Sequence, residues 1–339
     1  MLKYIFAFIK PLKRFLVVLG LLQWKVFFAI FPSLAGRIFF VYDAQGKFDG
    51  LGAQIQRIIG IAGLARYFGL RLKASKIEEV AIHPLDGISY ERDYRNYLKQ
   101  VNEIFQIGDD IVVTSPLTIN VINLRFSTLS LALLSLLKSR NVEVHVTHPY
   151  LLLDAYPKIY KLGTTESMFE KLEKVTSGPA KDLVLHYRQT AGNQVIQPGQ
   201  NISREIPLKR YLKVLGRIEL LSKQTSQSFS VLTDAPNHDC IFTPPKEQSK
   251  LWDLVAGFDG THVHMRGHSL GSFFAANELN PAIISGGNPL EALSIMVKAE
   301  TLILSRSSFG YIAAILSKSS NIFIPRDFWH PPLPKWRTF

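Results

Sequence analysis

Four short stretches of the chain combine residue types suited to holding an anion. Asp49-Gly50-Leu51-Gly52-Ala53-Gln54 precedes a helical pattern. Glycine there lets a phosphate or sugar approach the backbone, and a helix N-terminus behind it favours negative charge. Leu185-His186-Tyr187-Arg188 closes an apolar run. In a strand His186 and Arg188 share a face; a guanidinium at a carboxyl end can fork onto a diphosphate, and His186 can donate to the same group. Thr233-Asp234 ends a second run, where a carboxylate can accept from a base or ribose hydroxyl. Leu304-Ser305-Arg306-Ser307-Ser308-Phe309-Gly310 leads into a helical stretch, and its hydroxyls and free N–H groups can cradle an anion. Each stretch also has a plainer reading: a strand–helix turn, a surface arginine, a turn cap, a serine N-cap.

The elements that must position these residues follow from hydrophobic pattern. Arg37–Asp43 reads as a buried strand, Ala44–Gln54 as a loop, and Ile55 to Gly69 as a helix. Ile111–Thr114 and Val142–Thr147 read as further strands with helical Phe126–Ser139 between them. After Ser177–Lys181, the best linker candidate, strands are expected at Asp182–Tyr187, Ser228–Asp234, Glu300–Leu304 and Asn321–Pro325. Helices are expected at Leu208–Ser222, Asn288–Ala299 and Ser307–Ser317, and the proline-rich tail shows no regular period. This alternation predicts an α/β fold of parallel sheets, most economically two Rossmann-like halves facing a cleft, with ligands at the carboxyl ends of strands. The expected division is a basic apolar segment over 1–36, an acceptor-side half over 37–178 and a donor-side half over 179–339.

Composition narrows the function classes. At 339 residues with 47% hydrophobic and 19% charged residues, the chain can build a large core, and wholesale disorder is excluded. A single cysteine, Cys240, excludes an intrachain disulfide scaffold and suits a reducing compartment. The net charge is +12, and half of it lies in residues 1–42, which hold Lys3, Lys10, Lys13, Arg14, Lys25 and Arg37 and no acidic residue. The remaining 297 residues carry only +6, a weak argument for nucleic acid. Basic residues among Phe6, Phe8, Phe15, Leu19, Trp24 and Phe27 point to a segment lying on an anionic membrane face; a buried helix and a span over 15–36 are the alternatives. A cytoplasmic, peripherally attached protein is expected, with a membrane-anchored lumenal form as the other location.

In order along the chain, DGLGAQ before a helix, His-Tyr-Arg at a strand end, Leu-Thr-Asp, and LILSRSSF before a helix together resemble the fucosyltransferase superfamily, nearest to bacterial α-1,2- and α-1,6-fucosyltransferases and protein O-fucosyltransferases. Ser203–Ile218 is similar to the helix that follows that family's arginine motif. The first glycine and the asparagine of the family's GGLGNQ-like loop are Asp49 and Ala53 here, and its second arginine is Gln189. The resemblance implies a glycosyltransferase-B fold and inverting transfer of fucose from GDP-fucose to a glycan acceptor, without an obligatory metal or cofactor. It implies Arg188 and His186 as catalytic residues on the departing diphosphate, and Gly50, Gly52, Gln54, Asp234, Ser305, Ser307, Ser308 and Phe309 as donor-binding residues. Asp49 and Asp43 are the candidates for a base on the acceptor hydroxyl.

Three further patterns compete. Gly267-His268-Ser269-Leu270-Gly271 matches the nucleophile elbow of α/β-hydrolases, with Ser269 as nucleophile. Only 68 residues follow it, and they contain one histidine, His330. His262, His264 and His268, near His238, Asp239, Cys240 and Asp259, have the types of metal ligands, against a plain polar strand and loop. The third reading is a non-enzymatic membrane-surface protein, which accounts for the first 42 residues but not for the ordered loops after strands.

Overall fold

A computed structural model of the chain describes all residues except 1, 45–48, 83–87, 89–91, 111, 139–140, 189–193, 198–199, 204–205, 222–228, 236–239, 244–258 and 266–269. The chain divides into two compact units. The first comprises Met1–Lys47, Gln54–Glu78 and Val101–Glu166; the second comprises Phe48–Ala53, Glu79–Gln100 and Ser167–Phe339.

The first unit is built on a parallel sheet of β1 (Ile38–Tyr42), β2 (Arg71–Leu72), β3 (Leu117–Asn123) and β4 (Val142–His148), in the order β2-β1-β4-β3. Every residue of β1 is buried, as expected of a strand paired on both edges and covered on both faces. The helix Leu51–Phe68 leads from β1 towards β2, and Phe126–Leu136 leads from β3 to β4. The first of these helices begins four residues before the expected Ile55, so Gly52 and Gln54 lie in its first turn. No strand forms over the described residues 112–114; Val112 is 91% exposed and Ser115 takes φ +48°. The strand lies beyond that turn, at Leu117–Asn123, on an edge where most outward side chains stay exposed.

The second unit is built on β5 (Leu183–Tyr187), β8 (Phe229–Thr233), β11 (Ala282–Ser285), β12 (Thr301–Ile303), β13 (Asn321–Ile324) and β14 (Arg337–Thr338). They form one six-stranded sheet in the order β11-β8-β5-β12-β13-β14, every pair parallel. Two antiparallel ribbons, β6 (Gln194–Gln197) with β7 (Gln200–Ser203) and β9 (Cys240–Phe242) with β10 (Val263–Met265), stand outside it. Helices Leu208–Leu221, Leu270–Ala275, Pro289–Lys298 and Ser308–Leu316 fall between successive strands of the sheet. One cluster of the core joins Leu185 and Tyr187 of β5 to Tyr211, Val214 and Leu215 of the first of these helices, with Phe274 and Ile303. From β5 the chain winds through β8 to β11 on one side, then returns to place β12 against the other side of β5. That reversal makes the boundary between β5 and β12 a topological switch point, where the connections leave in opposite directions and open a crevice at the carboxyl ends.

Candidate functional site

The carboxyl end of β5 delivers His186 and, one step past the strand, Arg188. The His186 ring is buried, with Nδ1 2.9 Å from Ser305 Oγ. Burial, reinforced by the positive charge of Arg188, pushes its pKa down to about 3. The imidazole is therefore neutral at physiological pH, and its hydrogen bond ties the end of β5 to the segment after β12. Gly310 makes this approach possible: a Cβ there would lie 2.7 Å from His186 Nδ1.

That segment, Ser305-Arg306-Ser307, is an ordered turn. Ser307 N donates to the Ser305 carbonyl at 3.0 Å, and Ser307 Oγ caps the following helix by accepting from Phe309 N at 3.2 Å. Ser305 and Ser307 are buried; Ser308 is half-buried at the first position of the helix Ser308–Leu316. From Gly310 to Leu316 every residue of this helix is buried, which fixes its axis and the direction of its N-terminus. Between the serines, the buried Arg306 bonds Asp327 through Nε at 3.3 Å and through Nη2. Burial alone would raise the Asp327 pKa, but the hydrogen bond and charge of Arg306 hold the carboxyl below its usual range. Asp327 also lies 3.4 Å from Arg210 Nη1. The tail is anchored beside it, with the Tyr311 hydroxyl donating to the Pro331 carbonyl at 2.8 Å and its ring against Phe328, His330 and Trp336. Arg306 and Asp327 were missed by sequence reasoning. The available signal was an arginine enclosed by serines at a strand end, which is where a positioned ion pair is useful.

The first glycine-rich motif meets the serine turn within the same unit. A Cβ on Gly52 would stand 2.5 Å from Phe309 N and 2.8 Å from its Cβ, so only glycine lets these backbones pack as they do. Gly50 has open space around it, so sterics do not demand glycine there. Its backbone bridges to Ala81, and its carbonyl accepts from Ala53 N at 3.1 Å. Asp49 is half-buried in the same loop, its carbonyl accepting from Ala81 N. Gln54 belongs to the first unit, where its buried Oε1 accepts from the Tyr42 hydroxyl at 3.4 Å. Asp43 also lies in that unit, its N–H donating to the Val146 carbonyl after the end of β1.

Asp234 follows β8, which pairs with β5 so that Tyr187 stands beside Thr233. The carboxylate Oδ2 lies 3.4 Å from Arg188 Nε, close enough for charge attraction but without hydrogen-bond geometry. Arg188 Nε is buried and lacks a hydrogen-bond partner among the described residues. A guanidinium held by a carboxylate yet keeping an unspent buried donor is unusual in a finished ion pair.

The competing motifs fare differently. Ser269 lies outside the described residues. The strand before it, β10, belongs to an antiparallel ribbon rather than to the parallel sheet that a nucleophile elbow requires. His264 Nε2 and His262 Nδ1 lean on Asp259 Oδ2 at 3.1 and 3.9 Å, and Asp259 Oδ1 accepts from two backbone N–H groups. This is a turn closed by its own carboxylate, and no group able to hold a metal ion occurs among the described residues. His268, His238 and Asp239 lie outside them.

No protein-family model and no curated protein matches the sequence. Among solved structures the chain is similar to the crystal structure of POFUT1 in complex with GDP, with 11% identity and a TM-score of 0.42 over 85% of this chain and 97% of that one. At that distance nothing about the reaction carries over from one protein to the other.

Proposed function

We propose that the protein is a glycosyltransferase that transfers fucose from GDP-fucose to a glycan hydroxyl with inversion. The observation that supports this reading most directly is the grouping at the β5/β12 switch point: His186 on Ser305, Arg188 carrying an unspent buried Nε, and the capped start of an apolar helix. Departure of a nucleoside diphosphate builds negative charge as the sugar becomes cation-like. Arg188 supplies the counter-charge, and the N–H groups of the helix start supply aligned donors. Neutral His186 holds Ser305 in place rather than adding charge. Asp234 steadies Arg188 and offers an acceptor to a ribose or base hydroxyl, and Phe309 lends an aromatic face to the base. Gly52 keeps the loop against the helix start. A base for the acceptor hydroxyl would be a carboxylate such as Asp49, which lies in the same unit.

The test is ligand-induced stabilisation together with turnover. A ligand that binds only the folded state raises the melting temperature, by the equivalent of about 2.7 kcal/mol at a hundredfold excess over Kd. GDP and GDP-fucose are expected to stabilise the protein, and UDP-sugars are not. Arg188→Ala should keep the fold, lose this stabilisation and reduce turnover by roughly 10²–10³-fold, the cost of deleting a preorganised charge partner. Unchanged turnover in Arg188→Ala would overturn the assignment.

A further inference from the structure

The helix Leu2–Ile30 is 29 residues long, about 44 Å at 1.5 Å per residue, and it turns an apolar face outward. Leu12, Phe15, Leu16, Leu19, Leu22, Val26 and Ile30 are all exposed, Phe15 at 62% and Ile30 at 64%. At 100° per residue they fall within an arc of about 120°, interrupted between positions 11 and 30 by Gln23 alone. Leu21 and Phe28, on the opposite side, are buried, and Phe28 packs its ring against Phe68. Arg14 Nε, on that same side, donates to the Ala155 carbonyl at 3.0 Å. The helix is thus seated on its own unit by one face and leaves the other uncovered. In the same unit the helix Phe126–Leu136, whose Phe126 ring packs on Gly20, leaves Leu131 and Leu134 exposed, followed by Leu137.

An apolar stripe of this size on a folded surface is an interaction site. Charge decides between occupants. Lys13 and Lys25 are exposed and lie about 60° beyond the two edges of the stripe, one on each side. Residues 1–42 contain no acidic side chain. A second copy docking stripe to stripe would bring two segments of charge +6 together with no countercharge. No helix among the described residues is long and apolar enough to cross a membrane. We propose that this stripe lies flat in the headgroup region of an anionic lipid surface, its apolar side chains inserted and Lys13 against lipid phosphates, while Lys25 lies over the Tyr67 ring of its own unit.

The experiment is flotation of the full chain with vesicles. Vesicles of neutral phosphatidylcholine are compared with vesicles carrying about 30% phosphatidylglycerol. Binding is expected to be at least fivefold stronger to the anionic vesicles and to fall severalfold at about 0.5 M NaCl, where screening is short-ranged. The triple variant Phe15→Glu, Leu19→Glu, Leu22→Glu changes only exposed positions and should keep its melting temperature. It should lose at least tenfold in partition coefficient. Lys13→Gln should weaken binding to anionic vesicles but not to neutral ones. Equal binding of the wild type to both vesicles, retained binding of the triple variant, or a lipid-free dimer that the triple variant converts to monomer would each overturn the proposal. The readout is independent of donor binding and turnover, so it stands or falls apart from the transferase reading.

Discussion

Two charged clusters, one in each unit, handle their charge differently. In the first unit Glu143 of β4 is buried, with Oε1 2.7 Å from Lys73 Nζ and Oε2 3.1 Å from His145 Nε2. Burial by itself would raise the Glu143 pKa, yet the hydrogen bonds and charges of Lys73 and His145 hold it below the usual carboxylate range. Both oxygens are taken by groups of the same sheet or its flank. In the second unit Arg188 and Asp234 meet by a 3.4 Å approach, and Arg188 Nε has no hydrogen-bond partner among the described residues. The closed cluster sits within the body of a strand; the slack pair lies past the strand ends at a switch point. An ionic group whose partners are complete is committed to the fold, whereas one with a donor in hand has bonding left to give.

Stability measurements can break this contrast. Glu143→Ala should cost about 2–3 kcal/mol, because it strips both neighbours of a shared acceptor in a buried position; solvent around the partly exposed Lys73 keeps the loss below that of a fully buried pair. Urea denaturation measures it. Arg188→Ala should shift the same unfolding midpoint by no more than about 0.5 kcal/mol, since its Nε has no hydrogen-bond partner among the described residues. If the two substitutions cost the same, the distinction between closed and slack pairs fails.

The contact between glycine loop and serine turn gives a smaller and sharper effect. Gly52→Ala places a methyl group against the Phe309 backbone, a rigid neighbour, and should destabilise the second unit by about 1–2 kcal/mol while weakening nucleotide-induced stabilisation. Gly50→Ala is the control, with open space around it and an expected cost near zero. Equal effects from both would mean that the loop does not rest on the helix start.

The inner strands were readable and the edge strands were not. β1, β4, β5, β8, β12 and β13 each pair on two sides. Most of these strands carry short apolar runs, β4 alternating valines with polar residues instead, and each was expected within a residue or two of its observed limits. β2, β3, β11 and β14 lie on sheet edges, are short or half exposed, and carry no such run. The apolar triplet at Ile111–Val113 competed for the place of β3 because hydrophobicity was read without the turn at Ser115-Pro116. At the candidate site, the residues that motif order singled out lie beside one another in pairs, His186 with Ser305, Arg188 with Asp234, and Gly52 with Phe309. The ion pair of Arg306 with Asp327 was hidden because its partners are 21 residues apart and Asp327 lies in an irregular tail. Gln54, placed with the donor residues from its motif, is buried and accepts from the Tyr42 hydroxyl within the first unit, a contact that the early start of its helix makes possible.

A smaller effect than that of Gly52→Ala concerns a proton. The first cluster's histidine, His145, leans on a carboxylate; His186 leans on a hydroxyl with a guanidinium nearby. An unfolded histidine titrates near pH ~6.5, while His186 in the folded protein is pushed down to about 3. Between these values the unfolded state binds the extra proton, so stability is fully present above the unfolded pKa and drains away as the pH falls towards the folded one. Lowering the pH from ~7.5 to ~6 should therefore remove about 0.8 kcal/mol through His186 alone. His186→Asn keeps a side-chain group able to bond Ser305 but cannot titrate. The difference between wild-type and variant melting curves, measured across this range, isolates the one residue from the other histidines. A difference that grows as the pH falls, with the wild type losing more, supports a neutral ring locked to the serine turn. A difference that does not change with pH would mean that His186 keeps its charge on folding, and the end of β5 would then confront a donor with two cations rather than one.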